Sequence, residues 1–424
     1  MRSGPGRVRG AFRASRVLRS LPFMQHYEVI VVGLGAMGSA TTYHLARAGA
    51  RTLGIDQFAP PHTLGSTHGD TRITRQAVGE GDAYVQPVLR SHELWRELEA
   101  EADVSLFDQV GGLILAPASG GPAMHGAEDF FAATLKLAQR HRIDHEVLPA
   151  AELARRFPQF RLGDEPKAAD VVGYYEPGAG VVRAEAAVQV QLDLAERRGA
   201  HVSREEQVLD VTPSPTGVTV TTDRGSYGAD TVVLSAGPWI RELVEPEIGE
   251  LFTVHRQLMS WFTLDRAAQT AGTFEPGRCP VFIWQFGTTE EDVFYGIPAV
   301  DGPSGGVKIG TEGYGATTDP HRVERAVDPT EPAETFERCL RGRVPALQPA
   351  ALRSVTCLYT VSPDSGFVID RHPEHDRLII ASPCSGHGFK HSPAIGESLA
   401  ELATTGTSTL DTSPFRLSRF AAPS

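Results

Sequence analysis

The stretch HGDTRITR, residues 68–75, sets two guanidinium groups three positions apart, Arg72 and Arg75, behind an acid and beside two threonines. A guanidinium is planar, permanently charged, and grips a carboxylate or phosphate through paired hydrogen bonds. The pair therefore marks a candidate anion site. GLGAMG, residues 33–38, puts Gly33, Gly35 and Gly38 at the spacing of a dinucleotide-binding turn. SGHGFK ends in Lys390, and GGVKIG holds Lys308. Of 40 Lys and Arg residues only four are lysines, namely Lys136, Lys167, Lys308 and Lys390. This chain uses Arg wherever a positive charge merely has to sit on a surface, so a retained lysine is a candidate for a place where an ammonium is chemically required. Lys136 and Lys167 read as ordinary surface residues.

Those residues need elements to hold them. EVIVVG at 28–33 is an apolar run ending in glycine, the pattern of a buried strand. Residues 36–48 carry small and apolar positions at helical spacing and stop before Gly49, which predicts a helix. RTLGID at 51–56 predicts a second strand ending in Asp56, so the segment reads as a right-handed βαβ unit. In such a unit Gly33 makes the tight turn, Gly35 lets the backbone approach a pyrophosphate, and Gly38 lets helix pack on strand. The phosphate sits at the helix N-terminus, and Asp56, 18 residues after Gly38, suits the ribose hydroxyls. RAEAAVQVQLDLAERRGA predicts another helix, followed by strands at QVLDVTP, GVTVTTD and TVVLSAG. RLIIAS at 377–382, the loop PCSGHGFK and a helix over 391–403 repeat the strand–turn–helix geometry of the first unit. The glycine motif alone does not choose between FAD and NAD. The lack of a second such motif speaks against a nicotinamide dehydrogenase. The helix N-terminus after SGHGFK suits negative charge on the N1–C2=O edge of a reduced flavin.

The stretches between these blocks are richer in Pro and acids, with strand-like pieces LMSWFTL and DVFYGIP. The expected organisation is a cofactor-binding domain built from 24–105, 166–238 and 346–424, with a second domain from 106–165 and 239–345. At 424 residues a large core is assured. No apolar run approaches the roughly 18 residues that span a bilayer. A net charge of -12 gives no basic face for nucleic acid. Cys279, Cys339, Cys357 and Cys384 form no CxxC pair, which argues against structural zinc and for a reducing, cytoplasmic setting. Residues 1–23 contain six arginines and no acid, and Met24 follows. They read as a disordered extension or an early start, with a mitochondrial transit peptide as the alternative; Gly4, Pro5, Gly6 and Gly10 would weaken its helix.

Taken in order, HYEVIVVGLGAMGSATTYHLARAGARTLGID, PPHTLGSTHGDTRITR with GEGDAYV, EPGAGVVRAE, VKIG, VTCLYTVSPDSGFVID, SGHGFK and SPFRLSRF resemble the monomeric sarcosine oxidase / N-methyl-L-tryptophan oxidase family. The resemblance covers nearly all of 26–420, and the PFRLSRF tail is most similar to the N-methyltryptophan oxidase branch. It implies an α/β protein with a discontinuous glutathione-reductase-like FAD-binding domain and an inserted mixed-sheet α+β substrate domain. It implies a monomeric oxidase of secondary amino acids that passes a hydride to flavin N5. O2 is reduced to hydrogen peroxide, and an N-methyl amino acid releases formaldehyde. It also implies FAD held as an 8α-S-cysteinyl thioether on Cys357, with Cys384 as the rival cysteine.

The same resemblance assigns roles. Arg75 and Lys390 bind the substrate carboxylate, and Tyr295 and Tyr359 line the substrate cavity. Arg72 lies against the flavin, with Thr71, Ser66, His68, Gly386 and Gly388 also holding the cofactor. Lys308 stands near N5 to stabilise negative charge during O2 reduction. Without the motifs the plainer readings would apply: a surface arginine pair, buried cysteines as core fillers and core aromatics with satisfied hydroxyls. Two departures touch the pocket. Glu312 stands where the family pattern has His, and could pair with the substrate ammonium or with a basic side chain. Val78 replaces an expected aromatic. A dehydrogenase or oxidase of pipecolate, proline or a glycated amino acid is the alternative activity, and a non-catalytic flavin-binding module is the alternative class.

Overall fold

A computed structural model describes residues 24–163 and 170–421; residues 1–23 and Lys167 lie outside this range. Val29–Val32 are almost completely buried, as expected of a parallel strand covered on both faces. That strand, Gln25–Val32, pairs in parallel with Thr52–Ile55 on one side and Ser226–Leu234 on the other. His201–Ser203 and Leu378–Ser382 extend the parallel centre outward. Val208–Ser214, Gly217–Thr222 and Val368–Arg371 add antiparallel strands, giving eight in all. Helix Ala36–Arg47 packs between helices Ala184–Arg197 and Ser392–Thr405. Its small residues, such as Ala36, Ser39 and Ala40, are buried and permit the close approach. The expected βαβ unit and the terminal strand–turn–helix are thus both present.

The second sheet has the order Leu347–Val361, Thr253–Leu264, Val307–Thr311, Val293–Ile297, Val281–Gln285, Gly112–Pro117, Val171–Glu176, Glu146–Pro149. It is mixed, because Val281–Gln285 and Gly112–Pro117 run parallel while the other pairs run antiparallel. Val171–Glu176 and Leu347–Val361 fall inside stretches expected to build the cofactor-binding part, yet they pair in this second sheet. A strand between two sheets carries no local signal of which one it joins. A small antiparallel sheet, Thr71–Thr74 with Gly180–Arg183 and Phe107–Asp108, carries Arg72 and leads directly into Arg75. Among the described residues no helix is long and apolar enough to cross a membrane.

Candidate active site

A cleft enclosing about 1330 Å³ of open space runs along the ends of the parallel strands, past Gly33, Gly35, Asp56 and Ser66 to Gly386 and Gly388. Gly33 has φ +85°, in the left-handed region that favours glycine. Beneath the cleft, a Cβ on Gly38 would lie 1.8 Å from the Gly33 carbonyl oxygen, so only glycine lets the turn close on its helix. The N-cap Gly35 offers no side-chain cap, which leaves the start of a 12-residue helix open to an anion. The Asp56 carboxylate accepts from the backbone N–H groups of Leu34 and Phe58, both at 2.8 Å, and burial pushes its pKa up. Ser66 Oγ, Ser382 Oγ and Trp239 Nε1 line this cleft, buried and without a hydrogen-bond partner among the described residues. Buried polar atoms are normally satisfied. A dinucleotide such as FAD, with phosphates for the helix start and polar edges for these atoms, fits the cleft.

A second cavity, with about 690 Å³ of open space, shares Arg72, Tyr359, Gly386 and Phe389 with the cleft wall. Arg75, Lys390, Tyr295, Tyr359 and Glu312 all line it, so the five residues expected at a substrate pocket do converge. The two cations already hold an anion. Arg75 Nη2 lies 2.8 Å from both carboxylate oxygens of Glu80, and Lys390 Nζ is 3.1 Å from one of them. Burial alone would raise the Glu80 pKa, but Arg75 and Lys390 outweigh it and hold the carboxyl well below its usual range. Burial in turn lowers Lys390 to about 8. His387 donates its Nε2–H to the Ser365 carbonyl at 3.0 Å, so Nδ1 faces Glu80 as a bare lone pair 3.9 Å away. Burial pushes Glu312 up to about 8, and its Oε2 has no hydrogen-bond partner among the described residues. Val78 is fully buried in the core and does not line the cavity.

Most of the remaining expected residues cluster around Arg72. Arg72 donates to the Ser66 carbonyl at 2.7 Å and the Thr71 carbonyl at 2.8 Å, and its Nη2 lies 3.7 Å from Cys357 Sγ. The thiol itself is 3.3 Å from the Ser66 carbonyl. Burial raises the Cys357 pKa, while Arg72 favours its thiolate. Lys308 Nζ donates to the carbonyls of Gly69 and Thr71, each at 2.7 Å. Its pKa falls well below normal through burial and the nearby Arg72. His68 is buried and lowered to about 3 for the same two reasons. Cys384, the rival cysteine, lines the cleft itself. Sequence reasoning missed Glu80, His125 and His387, all of which line the second cavity. Glu80 stood inside the quoted motif GEGDAYV, five residues after Arg75, and that proximity was the available signal.

The sequence matches the family described as FAD dependent oxidoreductase over residues 28–402. It is 39% identical to a monomeric sarcosine oxidase of Streptomyces avermitilis over 93% of this chain and 98% of that protein. It is 34% identical to an N-methyl-L-tryptophan oxidase of Salmonella dublin over 93% of this chain and 99% of that one. Among solved structures the fold is similar to NikD, an amino acid oxidase of nikkomycin biosynthesis, with TM-score 0.76, 24% identity, and 92% and 97% of the two chains covered. It is also similar to glycine oxidase from Geobacillus kaustophilus, with TM-score 0.71, 19% identity, and 94% and 100% covered.

Proposed function

The chain belongs to the FAD dependent oxidoreductase family, and within its sarcosine oxidase and N-methyl-L-tryptophan oxidase branch, and from that premise we propose that it oxidises N-methyl amino acids with O2 as acceptor. The observation that carries the reading is the shared wall: a cavity with two buried cations adjoins a cleft suited to FAD through Arg72, Tyr359, Gly386 and Phe389. Bound in the cleft, FAD would supply the two-electron acceptor that takes hydride from the carbon beside the amine nitrogen and returns the electrons to O2 as hydrogen peroxide. The protein's task is placement. An arriving carboxylate competes with Glu80 for Arg75 and Lys390, a bidentate guanidinium and a point charge that together fix the acid end. Tyr295 and Tyr359 bound the space left for the amine. When the substrate carries an N-methyl group, hydrolysis of the oxidised product releases formaldehyde.

The assignment extends to the cofactor's attachment. Cys357 lies behind the cleft wall formed by Ser66 and Arg72, with Arg72 placed to favour the thiolate needed to form an 8α-S-cysteinyl link. Lys308 uses two of its three donors on backbone carbonyls and is assigned to stabilising developing negative charge on oxygen. Gly33, Gly35, Gly38 and Asp56 hold the nucleotide end. Glu312, a carboxyl in the cavity where the resemblance has His, keeps open a second reading in which a cyclic secondary amine such as pipecolate or proline is the preferred substrate. A panel of N-methyl and cyclic amino acids, read by peroxide release from purified yellow protein, tests both. Release with sarcosine or N-methyl-L-tryptophan supports the first reading, release with only cyclic amines supports the second, and none with any amine removes both.

A further inference from the structure

Two carboxyls line the substrate cavity, and only one of them has a job. Glu80 is held by Arg75 and Lys390. Glu312 has an oxygen with no hydrogen-bond partner, and His125 Nε2, its nearest basic atom, stands 3.7 Å away, beyond hydrogen-bond reach. Its orientation is not accidental. His125 and Gly126 occupy a two-residue turn closed by backbone hydrogen bonds between Met124 and Ala127, with φ of 49° and 82°. The Tyr314 hydroxyl lies 2.9 Å from His125 Nδ1, which fixes the ring with Nε2 toward Glu312. Charged and titratable groups act on Glu312 from every element around it. These are Tyr295, Tyr359 and Tyr314, His125, and the triad Arg75, Glu80 and Lys390.

An amino acid carries its nitrogen one carbon from its carboxylate. Once Arg75 and Lys390 hold the acid end, the nitrogen must lie in this cavity. It arrives as an ammonium, yet hydride can leave only from a carbon beside a neutral amine, whose lone pair assists. Resting on the oxidase reading above, we propose that Glu312 pairs with the substrate's amine nitrogen and, in its carboxylate form, takes its proton. The N–H bond breaks, an O–H bond forms on Glu312, and the electron pair stays on nitrogen. Burial drives the transfer, because it penalises the charge on both partners and the product pair is neutral.

The test uses the FAD-loaded enzyme and two ligands: sarcosine, and the same carboxylate with an ether oxygen replacing nitrogen. Dissociation constants come from anaerobic flavin bleaching for the amine and from perturbed flavin absorbance for the ether. The ratio of the two affinities cancels Lys390 and Glu80, which act on both ligands alike. Between pH 6 and 9 this ratio should rise about tenfold per pH unit and then level as Glu312 ionises. Levelling should vanish in Glu312→Gln and return in Glu312→Asp. Identical profiles in wild type and Glu312→Gln overturn the assignment. Should Glu312→Gln fail to hold FAD, calorimetry on wild type decides: amine binding should release about one more proton than ether binding at pH 6 and none at pH 9, and equal release at both values overturns it. If no secondary amino acid bleaches the wild-type flavin, the oxidase reading falls and takes this inference with it. Bleaching without the break removes only Glu312.

Discussion

A buried carboxylate on two cations decides how this pocket greets a ligand. Glu80 neutralises Arg75 and Lys390, so on the proposed reading a substrate carboxylate would have to displace it. Glu80→Gln should tighten carboxylate inhibitors by about tenfold. It should also lower the melting temperature of the free protein, since an unpaired buried charge costs about 3–5 kcal/mol, and added carboxylate should restore it. Thermal shift with and without inhibitor checks both. Arg75→Ala should weaken the same inhibitors by about 10- to 100-fold, corresponding to roughly 1.5–3 kcal/mol for a charge-assisted hydrogen bond. Lys308→Met should slow reoxidation by O2 by about 10²–10³ while flavin reduction changes little, the scale for losing one electrostatic stabiliser. Stopped-flow of the two half-reactions separates them, and equal slowing would remove Lys308 from oxygen chemistry. At this scale the sequence revealed the cations, because two of its four lysines fell in motif positions. Glu80 escaped notice because an acid near two cations reads the same on a surface or in a core.

The elements place those residues through a few unforgiving contacts. Glu176, at the end of strand Val171–Glu176, accepts from the backbone N–H of Gln76 at 2.6 Å and of Ala77 at 3.0 Å, and from the Tyr174 hydroxyl at 3.0 Å. It thereby anchors the chain just beyond Arg75, so the second sheet fixes the backbone that carries this guanidinium. Glu176→Leu leaves the buried Ala77 N–H and the half-buried Gln76 N–H unpaired, a cost of about 1–3 kcal/mol for the buried group and less for the other. It should weaken carboxylate binding together with stability, as titration and denaturant unfolding would report. The βαβ unit was legible because a buried parallel strand is continuously apolar and its glycines have fixed geometric duties. The membership of Val171–Glu176 and Leu347–Val361 in the second sheet was not, since pairing with strands far along the chain leaves no local pattern.

Across the whole molecule, burial sets a pH window for stability. His44, His92 and His125 are lowered to about 4, and His68 to about 3, chiefly by burial. Each stays neutral in the fold while the unfolded chain takes up a proton near pH 6.5, so stability is full above that value. It falls as pH drops from 6.5 toward the folded values, by up to about 1.4 kcal/mol per pH unit per group. Glu312 has the opposite sign. Its folded pKa is raised to about 8, so its contribution is intact below the unfolded value near 4.5 and is lost as pH rises to 8. Glu312→Gln should therefore raise the melting temperature at pH 8 by more than at pH 5, and equal changes would contradict the burial. The two-part architecture was readable from motif order, whereas this charge pattern depends on distant segments meeting in one cavity.

The central claim, that fixed cations hold an amino acid's acid end while its amine faces a bound flavin, is tested most directly by anaerobic titration of the FAD-loaded protein with sarcosine or N-methyl-L-tryptophan, followed through flavin absorbance. Wild type should bleach with one equivalent of amine oxidised per flavin, at concentrations that leave Arg75→Ala yellow. A flavin that stays oxidised with every secondary amino acid, or bleaches equally in both proteins, would contradict it.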